Sequence, residues 1–120
     1  RVWFNLESGR QMIFDDIRCF GTLEVYVDLA DSKSLQKLGI EPLSKAMTLG
    51  YFKKNLGSSK REIKSALLDQ QIIAGLGNIY VSEILFHSRI HPQRSAGSIN
   101  EREWSLIIKY TKYILQEAIK

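Results

Sequence analysis

The sequence of 120 residues contains one cysteine, two prolines and two histidines, and these shortages exclude several classes of protein. Cys19 has no partner for an internal disulfide, and a zinc site built from four cysteines is impossible. No apolar run approaches the roughly 20 residues that a membrane-spanning helix needs. The amino terminus also lacks the charged and then apolar order of a signal peptide. A cytoplasmic protein without a membrane partner is therefore predicted.

The composition is that of a soluble globular protein, with 44% hydrophobic and 25% charged residues. Its charge is unevenly distributed. Residues 1–41 contain five Lys and Arg against seven Asp and Glu, whereas residues 42–120 contain twelve against six. Excess positive charge favours nucleic acid as the partner of the second part. A lysine-rich solvated surface would give the same counts and stays open as an alternative.

The first segment is predicted to be β structure. Residues 2–6 and 11–14 are rich in strand-forming residues and flank a turn sequence at residues 7–10, which predicts a hairpin. Residues 22–29 alternate apolar and polar side chains, as a half-buried third strand would. Because three strands alone leave an apolar face uncovered, we interpret residues 1–29 as the end of a larger sheet whose beginning is missing. Residues 30–41 are interpreted as a linker.

Residues 42–120 are predicted to be helical. One helix should stop at Gly57, and another should end before Pro92 because proline disfavours helix at the residue preceding it. The last helix should be long, with an apolar face running from Trp104 to Ile119. The predicted helix caps are Thr48, a capping box of Ser59 with Glu62, Asn78, and a pair of Asn100 with Glu103.

A tight turn at Gly75, Leu76 and Gly77 precedes the helix that Asn78 is predicted to cap. Glycines allow positive φ angles and let another backbone approach closely. The first amides of the following helix have no partner inside it, and the helix dipole adds positive charge there. A phosphate fits such a position. A plain corner between packed helices is the alternative, since short glycine motifs are weak evidence by themselves.

Arg18 and Phe20 lie two positions apart in a predicted loop and project to the same side if the backbone is extended. A cation and an aromatic ring so placed could enter a DNA duplex and fill the gap left by a flipped base. A core Phe20 beside a surface Arg18 is the alternative. Lys60 and Lys64, one helical turn apart, could present cations to a nucleic-acid backbone. Solvated lysines are the alternative there.

Other reactive side chains predict no chemistry. His87 and His91 have a spacing that could bind a metal on a helix, but Pro92 ends that helix and no third ligand is visible. Cys19 has no paired base that would make it a nucleophile. We therefore predict no metal site in this chain.

The stretch from Leu67 to Pro92 resembles the helix-two-turn-helix signature of bacterial formamidopyrimidine-DNA glycosylases. The residues that carry the resemblance are Leu-Asp-Gln-Gln at 68–71, Ala-Gly-Leu-Gly-Asn-Ile-Tyr at 74–80, Ser-Glu-Ile-Leu-Phe at 82–86 and Ile-His-Pro at 90–92. The resemblance covers nearly the whole chain. It implies an α+β fold, in which the end of an amino-terminal β-sandwich, about three antiparallel strands, precedes a helix-two-turn-helix domain over residues 42–120.

The family excises oxidised purines such as 8-oxoguanine and formamidopyrimidines, and then cuts the strand as an AP lyase. Its nucleophile is an amino-terminal proline, and a zinc finger follows its last helix. This chain begins with Arg1 and has no cysteines for a finger. The resemblance thus implies a central piece with no catalytic residue and no cofactor of its own, inactive alone, with zinc only in the missing finger. The implied partner is double-stranded DNA with an oxidised base, bound by a monomer at the bacterial nucleoid.

The resemblance also assigns roles to individual residues. Arg18 and Phe20 match the loop that inserts opposite the lesion, although Ile17 and Cys19 replace the family's proline and second arginine. Lys64 is implied to lie in the lesion-binding region, Asn78 at a phosphate, and Tyr80 at the backbone or in packing. Glu83 is expected to brace the turn. The predicted DNA-binding residues are Arg18, Phe20, Lys60, Lys64, Gly77, Asn78 and Tyr80.

Two other functions stay open at this stage. Helix-two-turn-helix units also occur in ribosomal proteins, where they bind nucleic acid without catalysis. A helical interaction domain with an incidental basic face is the third possibility, and it would bind duplex DNA without salt sensitivity or not at all.

Overall fold

The computed structural model describes residues 1–120, which divide into two compact units, Arg1–Ser32 and Lys33–Lys120. The boundary lies inside the segment interpreted as a linker. A short 3₁₀ helix, Leu29–Asp31, begins one residue before that segment, and a single helical turn, α1, lies within it at Lys33–Gln36. The chain is α+β, as predicted, with one two-stranded sheet and five α-helices.

The first unit contains the predicted hairpin. Strand β1 (Val2–Asn5) pairs antiparallel with β2 (Gln11–Phe14), and the register places Val2 opposite Phe14. At the turn, the Leu6 amide donates to the Arg10 carbonyl at 2.9 Å. Gly9 has a φ of +76°, a left-handed conformation that glycine adopts without steric cost. The local turn sequence thus suffices to define this element.

The predicted third strand is absent from this structure. Residues 22–27 have no regular structure, and the two strands of the sheet pair only with each other. Leu23 is 46% exposed and Val25 is 87% exposed, so the alternating apolar face has nothing to pack on. The alternation is present in the sequence, but a strand forms only where a neighbouring edge accepts its backbone hydrogen bonds.

The second unit is built from four further helices: α2 (Leu49–Leu56), α3 (Ile63–Leu68), α4 (Asn78–Ser88) and α5 (Glu101–Ile119). Helix α4 packs on α3 and α5, and α2 packs on α5. Phe52 stacks on Trp104 in the core, with ring centroids 4.6 Å apart. The largest fully buried apolar side chains come from all four helices and from the α3–α4 turn, and are Trp104, Phe52, Ile63, Leu67, Ile73, Leu76, Ile84, Ile107 and Val81.

Two of the predicted caps are confirmed. The Thr48 hydroxyl accepts a hydrogen bond from the Tyr51 amide at 3.3 Å, and α2 ends at Gly57 as predicted. At the start of α5, the Asn100 side chain accepts from the Glu103 amide, and the Glu103 carboxylate accepts from the Asn100 amide, both at 2.9 Å. In each case the capping partner lies within three residues, so local sequence is sufficient.

The predicted capping box of Ser59 and Glu62 is wrong. Helix α3 has no side-chain cap, and its first amides bond to a distant segment instead. The Ile63 amide donates to the Arg94 carbonyl at 2.7 Å, and the Lys64 amide donates to the Pro92 carbonyl at 3.1 Å. Because these donors are satisfied by a tertiary contact, a side-chain cap is unnecessary.

The segment that caps α3 is tied to α5 by an ion pair. The Arg94 guanidinium donates to both carboxylate oxygens of Glu103, one of them at 3.1 Å. This hydrogen bonding lowers the pKa of Glu103 and raises the pKa of Arg94. Glu103 therefore serves two helices, since the same carboxylate completes the capping box of α5.

Helices α4 and α5 have the predicted extents, but two details at their ends differ from the sequence reasoning. Helix α4 ends at Ser88, before Pro92 as predicted, but the stop is Arg89, whose φ of +57° turns the chain out of the helix. The Arg89 amide then donates back to the Leu85 and Phe86 carbonyls. In α5 the buried stripe includes Trp104 and Ile107, but Ile119 at its end is exposed.

Part of the predicted linker packs against the α3–α4 turn. The Gly39 amide donates to the Gln70 carbonyl at 2.8 Å, and the Ala74 amide donates to the Ile40 carbonyl at 3.0 Å. Ile40 forms a parallel bridge with Ile73. A Cβ atom on Gly39 would lie 2.3 Å from the Ile72 carbonyl carbon and oxygen. Glycine is therefore required at position 39 by close backbone approach.

We expect Gly39→Ala to destabilise the chain by about 1–3 kcal/mol, because the methyl group would push two backbone segments apart. Gly50→Ala is the matched control, since Gly50 lies in α2 and a Cβ there has no atom within 4 Å. That control should stabilise by about 0.5–1 kcal/mol through helix propensity. Thermal unfolding of the two variants measures both effects, and equal midpoints would contradict the close approach at Gly39.

Candidate nucleic-acid interface

The turn between α3 and α4 begins at Asp69, the carboxyl-terminal cap of α3. The Asp69 carboxylate accepts from the Gln71 amide at 2.9 Å and from the Arg61 guanidinium at 2.9 Å. These bonds lower the pKa of Asp69, the Gln71 amide contributing most. The Asp69 carbonyl accepts from the Ile72 and Ile73 amides. The first half of the turn is therefore held by Asp69.

The second half of the turn is held by Gln70. Its Oε1 accepts from the Gly75 amide at 2.7 Å, and its Nε2 donates to the carbonyls of Leu68 at 3.0 Å and Leu76 at 2.9 Å. Gly75 has a φ of +86°, which confirms the expected positive φ in this turn. Sequence reasoning assigned no role to Gln70, although an amide that can both donate and accept near a glycine turn was the available signal.

The brace expected from Glu83 is wrong. Glu83 is exposed on α4 and accepts no hydrogen bond from the turn backbone. Its carboxylate lies 3.8 Å from His87 Nε2, one helical turn further along α4. Glu83 lies on α4, after the turn, and does not support it. The Gln70 side chain, which precedes α4, bonds to the turn backbone instead.

Asn78 does not cap α4, contrary to prediction. Gly77 is the cap, with φ −108° and ψ 176°, and its carbonyl accepts the first helical bond from the Val81 amide at 3.0 Å. Asn78 is the first helical residue, and its side chain makes no capping bond. Because the extended residue before a helix takes the cap position, the Asn78 amide group remains free for another partner.

Three backbone amides at the start of α4 have no acceptor in the chain. They belong to Asn78, Ile79 and Tyr80, and all three residues are exposed. A Cβ on Gly77 would meet no atom within 4 Å, and the φ of Gly77 suits any residue. The fold itself therefore does not require glycine at position 77. The amides, the positive end of the helix dipole and open space at Gly77 together form a surface whose chemistry suits an anion.

The predicted helical spacing of Lys60 and Lys64 is wrong, because α3 begins only at Ile63. Lys60 lies in the preceding loop and is exposed. Lys64 is the second residue of α3 and is half-buried at a cavity of about 550 Å³, beside the carboxyl-terminal half of α4. The cavity contains no Asp or Glu, and its lining residues are Lys64, Ser82, Leu85, Phe86, Arg89, Ile90, His91 and Pro92.

In the first unit, the loop of Arg18 and Phe20 is folded around Asp16. The Asp16 carboxylate accepts from the Arg18 amide at 3.2 Å and from the Gly21 amide, and the Asp16 carbonyl accepts from the Cys19 amide. Cys19 adopts a left-handed φ of +56°. Phe20 is 85% exposed in this unit. Arg18 is exposed and forms no ion pair.

The two histidines lie in different surroundings. The His87 ring stacks on Tyr110, with centroids 5.5 Å apart, and His91 Nδ1 accepts from the Gln93 amide at 3.3 Å. No group of three or more His, Cys, Asp or Glu side chains is placed to hold a metal ion. None of the helices has both the length and the apolar character needed to cross a membrane.

Comparison with known proteins identifies relatives over the whole chain. It is 44% identical over 120 residues to the formamidopyrimidine-DNA glycosylase of Listeria innocua, covering 98% of this chain and 44% of that protein. It is 42% identical over 121 residues to the same enzyme of Streptococcus agalactiae, covering 99% of this chain and 44% of that protein. The chain therefore spans less than half the length of these curated relatives.

Solved structures agree with this similarity. The MutM (Fpg) protein of Thermus thermophilus superposes with a TM-score of 0.82 at 39% identity, covering 93% of this chain and 43% of that one. The Lactococcus lactis Fpg, solved in complex with DNA containing an abasic site, superposes with a TM-score of 0.66 at 37% identity. That match covers 72% of this chain and 32% of the other.

The family model of the formamidopyrimidine-DNA glycosylase H2TH domain matches residues 38–120, which include the whole α3–α4 turn and all of α2 to α5. This range is more than two thirds of the sequence. The chain therefore belongs to the formamidopyrimidine-DNA glycosylase H2TH family.

Proposed function

We propose that this chain is the DNA-binding central part of a bacterial DNA glycosylase and AP lyase that removes oxidised purines. The observation that carries the proposal is the set of unpartnered amides of Asn78, Ile79 and Tyr80 at the start of α4. The relatives named above are glycosylases, and one structural relative was solved with DNA containing an abasic site. A phosphate of the damaged strand is the anion that we place at these amides.

The geometry explains how a phosphate would bind. Its oxygens accept from backbone N–H groups at the positive end of the α4 dipole, where negative charge is stabilised. Gly77 has no Cβ, so the sugar-phosphate chain can approach the backbone closely. The Asn78 side chain, which caps nothing, can donate to a second oxygen. Tyr80 is partly exposed in the next position and can lie along the DNA backbone.

The lysines supply the sequence-independent part of the proposed binding. Lys60 is exposed, and Lys64 lies at a cavity without acidic side chains, so neither cation is neutralised by a neighbouring carboxylate. Neutralising DNA phosphates with such cations releases counterions and makes the affinity depend on salt. We place Lys60 on the DNA backbone and Lys64 nearer the lesion.

Arg18 and Phe20 are proposed to act as the wedge. Both side chains are exposed, and Asp16 fixes the loop that carries them through three backbone amides. An exposed aromatic ring on a constrained loop can replace an extruded base in the stack, and the adjacent cation can hold the opposite strand. We also propose that residues 22–27, whose apolar face is exposed here, pair within a larger β-sandwich.

The covalent chemistry is proposed to come from other parts of the protein. An amine that attacks the sugar C1′ displaces the base, and the C1′–O4′ bond then opens as the ring oxygen takes the amine's proton. The resulting iminium is the electron sink for cutting the strand by elimination. The residues present do not fit zinc, because one cysteine and two separated histidines cannot supply four ligands. Zinc therefore belongs, in this proposal, to a finger outside residues 1–120. The whole protein would act as a monomer on chromosomal DNA in the bacterial cytoplasm.

The decisive test compares the 120-residue chain with the protein expressed from its whole gene. The whole protein should release 8-oxoguanine from a duplex and be trapped on it by borohydride, whereas the 120-residue chain should bind the duplex without being trapped. A whole protein that binds but releases no base would favour the alternative, a non-catalytic nucleic-acid-binding module. Binding without salt dependence would instead favour a helical interaction domain.

We expect Gly77→Ala and Asn78→Ala to weaken binding to a duplex with an abasic-site analogue, each by about 1 kcal/mol or more. In Gly77→Ala the new methyl group has free space in the fold and obstructs only an incoming phosphate. Fluorescence anisotropy at low salt gives the affinity, and thermal unfolding verifies that both variants remain folded, since alanine is a poorer helix N-cap than glycine. Gly50→Ala is the control, and equal affinity in all three variants would contradict the phosphate site.

We expect Arg18→Ala to reduce the preference for damaged DNA more than the general affinity, because a wedge contributes only when a base is extruded. The measurement is the ratio of dissociation constants for an abasic-site duplex and the matching undamaged duplex. Arg10→Ala serves as the control, since Arg10 is an exposed cation in the hairpin turn. An equal loss of affinity for both duplexes would show that Arg18 only contacts the backbone.

A further inference from the structure

The Gln70 side chain joins both ends of the turn that presents the free amides of α4. Its single amide group bonds to the Leu68 carbonyl at the end of α3, and to the Gly75 amide and the Leu76 carbonyl just before Gly77. The Gln70 backbone is itself held, because its carbonyl accepts from the Gly39 amide at 2.8 Å. Gln70 therefore fixes the distance from α3 to the start of α4.

The three backbone partners at this position match a glutamine amide. The Gly75 N–H can only donate and the two carbonyls can only accept, so the orientation of the Gln70 amide is determined by its partners. A glutamate would replace the donating Nε2 with an oxygen that cannot donate and would place it against the two carbonyls. The neutral amide of Gln70 satisfies all three backbone groups together.

Loss of the Gln70 hydrogen bonds should affect DNA binding more than the stability of the fold. Leu76 is 1% exposed and Ile73 is fully buried, so the turn remains anchored in the core without the Gln70 amide. Gly75 is exposed, and water can replace the lost partner of its N–H. What a truncated side chain removes is the fixed direction of the chain entering α4. A binding site whose donors are held in place avoids the entropic cost of ordering them.

We propose that Gln70 is a positioning residue for the phosphate site, and that it holds the amides of Asn78, Ile79 and Tyr80 in their binding direction. This inference rests on the proposed function of those amides. Gln70 contacts the turn and not the phosphate, so its effect is transmitted through Gly75 and Leu76.

The first test measures affinity and stability of the full 120-residue chain with Gln70→Ala and Gln70→Met. Methionine has the length of glutamine but makes none of its hydrogen bonds. The Gln70→Met variant therefore removes the hydrogen bonds without shortening the side chain. Both variants should bind the abasic-site duplex on the order of tenfold more weakly, as when a supporting partner of a direct ligand is removed. Their thermal midpoints should stay close to that of the wild type. Gln71→Ala is the control, because the Gln71 side chain is exposed and makes no hydrogen bond.

The second test separates positioning from a general structural role. Duplexes are prepared in which each phosphate near the abasic site is replaced, one at a time, by an uncharged methylphosphonate. The wild type and Gln71→Ala should lose affinity sharply at one replaced phosphate. In Gln70→Ala and Gln70→Met the loss at that phosphate should be several-fold smaller, because the amides no longer hold it firmly.

The outcomes distinguish the inference from the function on which it rests. If no single phosphate matters to the wild type, the proposed phosphate site itself is wrong. If one phosphate matters and the folded Gln70 variants lose as much affinity there as the wild type, the phosphate site stands and the positioning role of Gln70 is overturned. Wild-type affinity of both Gln70 variants for the unmodified duplex overturns that role equally.

Discussion

The proposed function of the second unit depends on the start of α4, where no side chain of the protein accepts from the first backbone amides. The amides of Asn78, Ile79 and Tyr80 have no internal acceptor, while Leu76 before them and Val81 after them are buried in the core. Burial on both sides holds the donors at the surface without satisfying them. Because these donors are exposed, water can accept from them in the free protein. The proposed phosphate would replace that water at donors that are already held in place.

The starts of α2, α3 and α5 differ from that of α4, because each of them has an acceptor for at least one of its first amides. Thr48 caps α2, and Asn100 with Glu103 caps α5. The amides of α3 bond to the carbonyls of residues 92–94, and Arg94 fixes that segment to α5. The fold thus gives at least one first-turn amide of α2, α3 and α5 an acceptor inside the chain, whereas the first three amides of α4 have none.

Sequence and packing point to the same residues in only part of the α3–α4 turn. Gly75 was expected to need a positive φ and has one, whereas Gly77 was expected to permit close approach and is glycine without any internal need. The support of the turn was assigned to Glu83 and belongs to Gln70. Pattern reasoning could locate the turn because its residues are contiguous, but it could not choose among the polar side chains around it.

Sequence by itself determined the features whose hydrogen-bonding partners lie within a few residues. These are the hairpin at Gly9, the caps at Thr48 and Asn100, and the glycine turn before α4. Tertiary structure decided the cap of α3, the packing of Gly39 beside the turn and the absence of a third strand. The physical reason is the same throughout. A backbone donor or acceptor takes whichever partner folding brings to it, and a partner far along the chain leaves no trace in the local pattern.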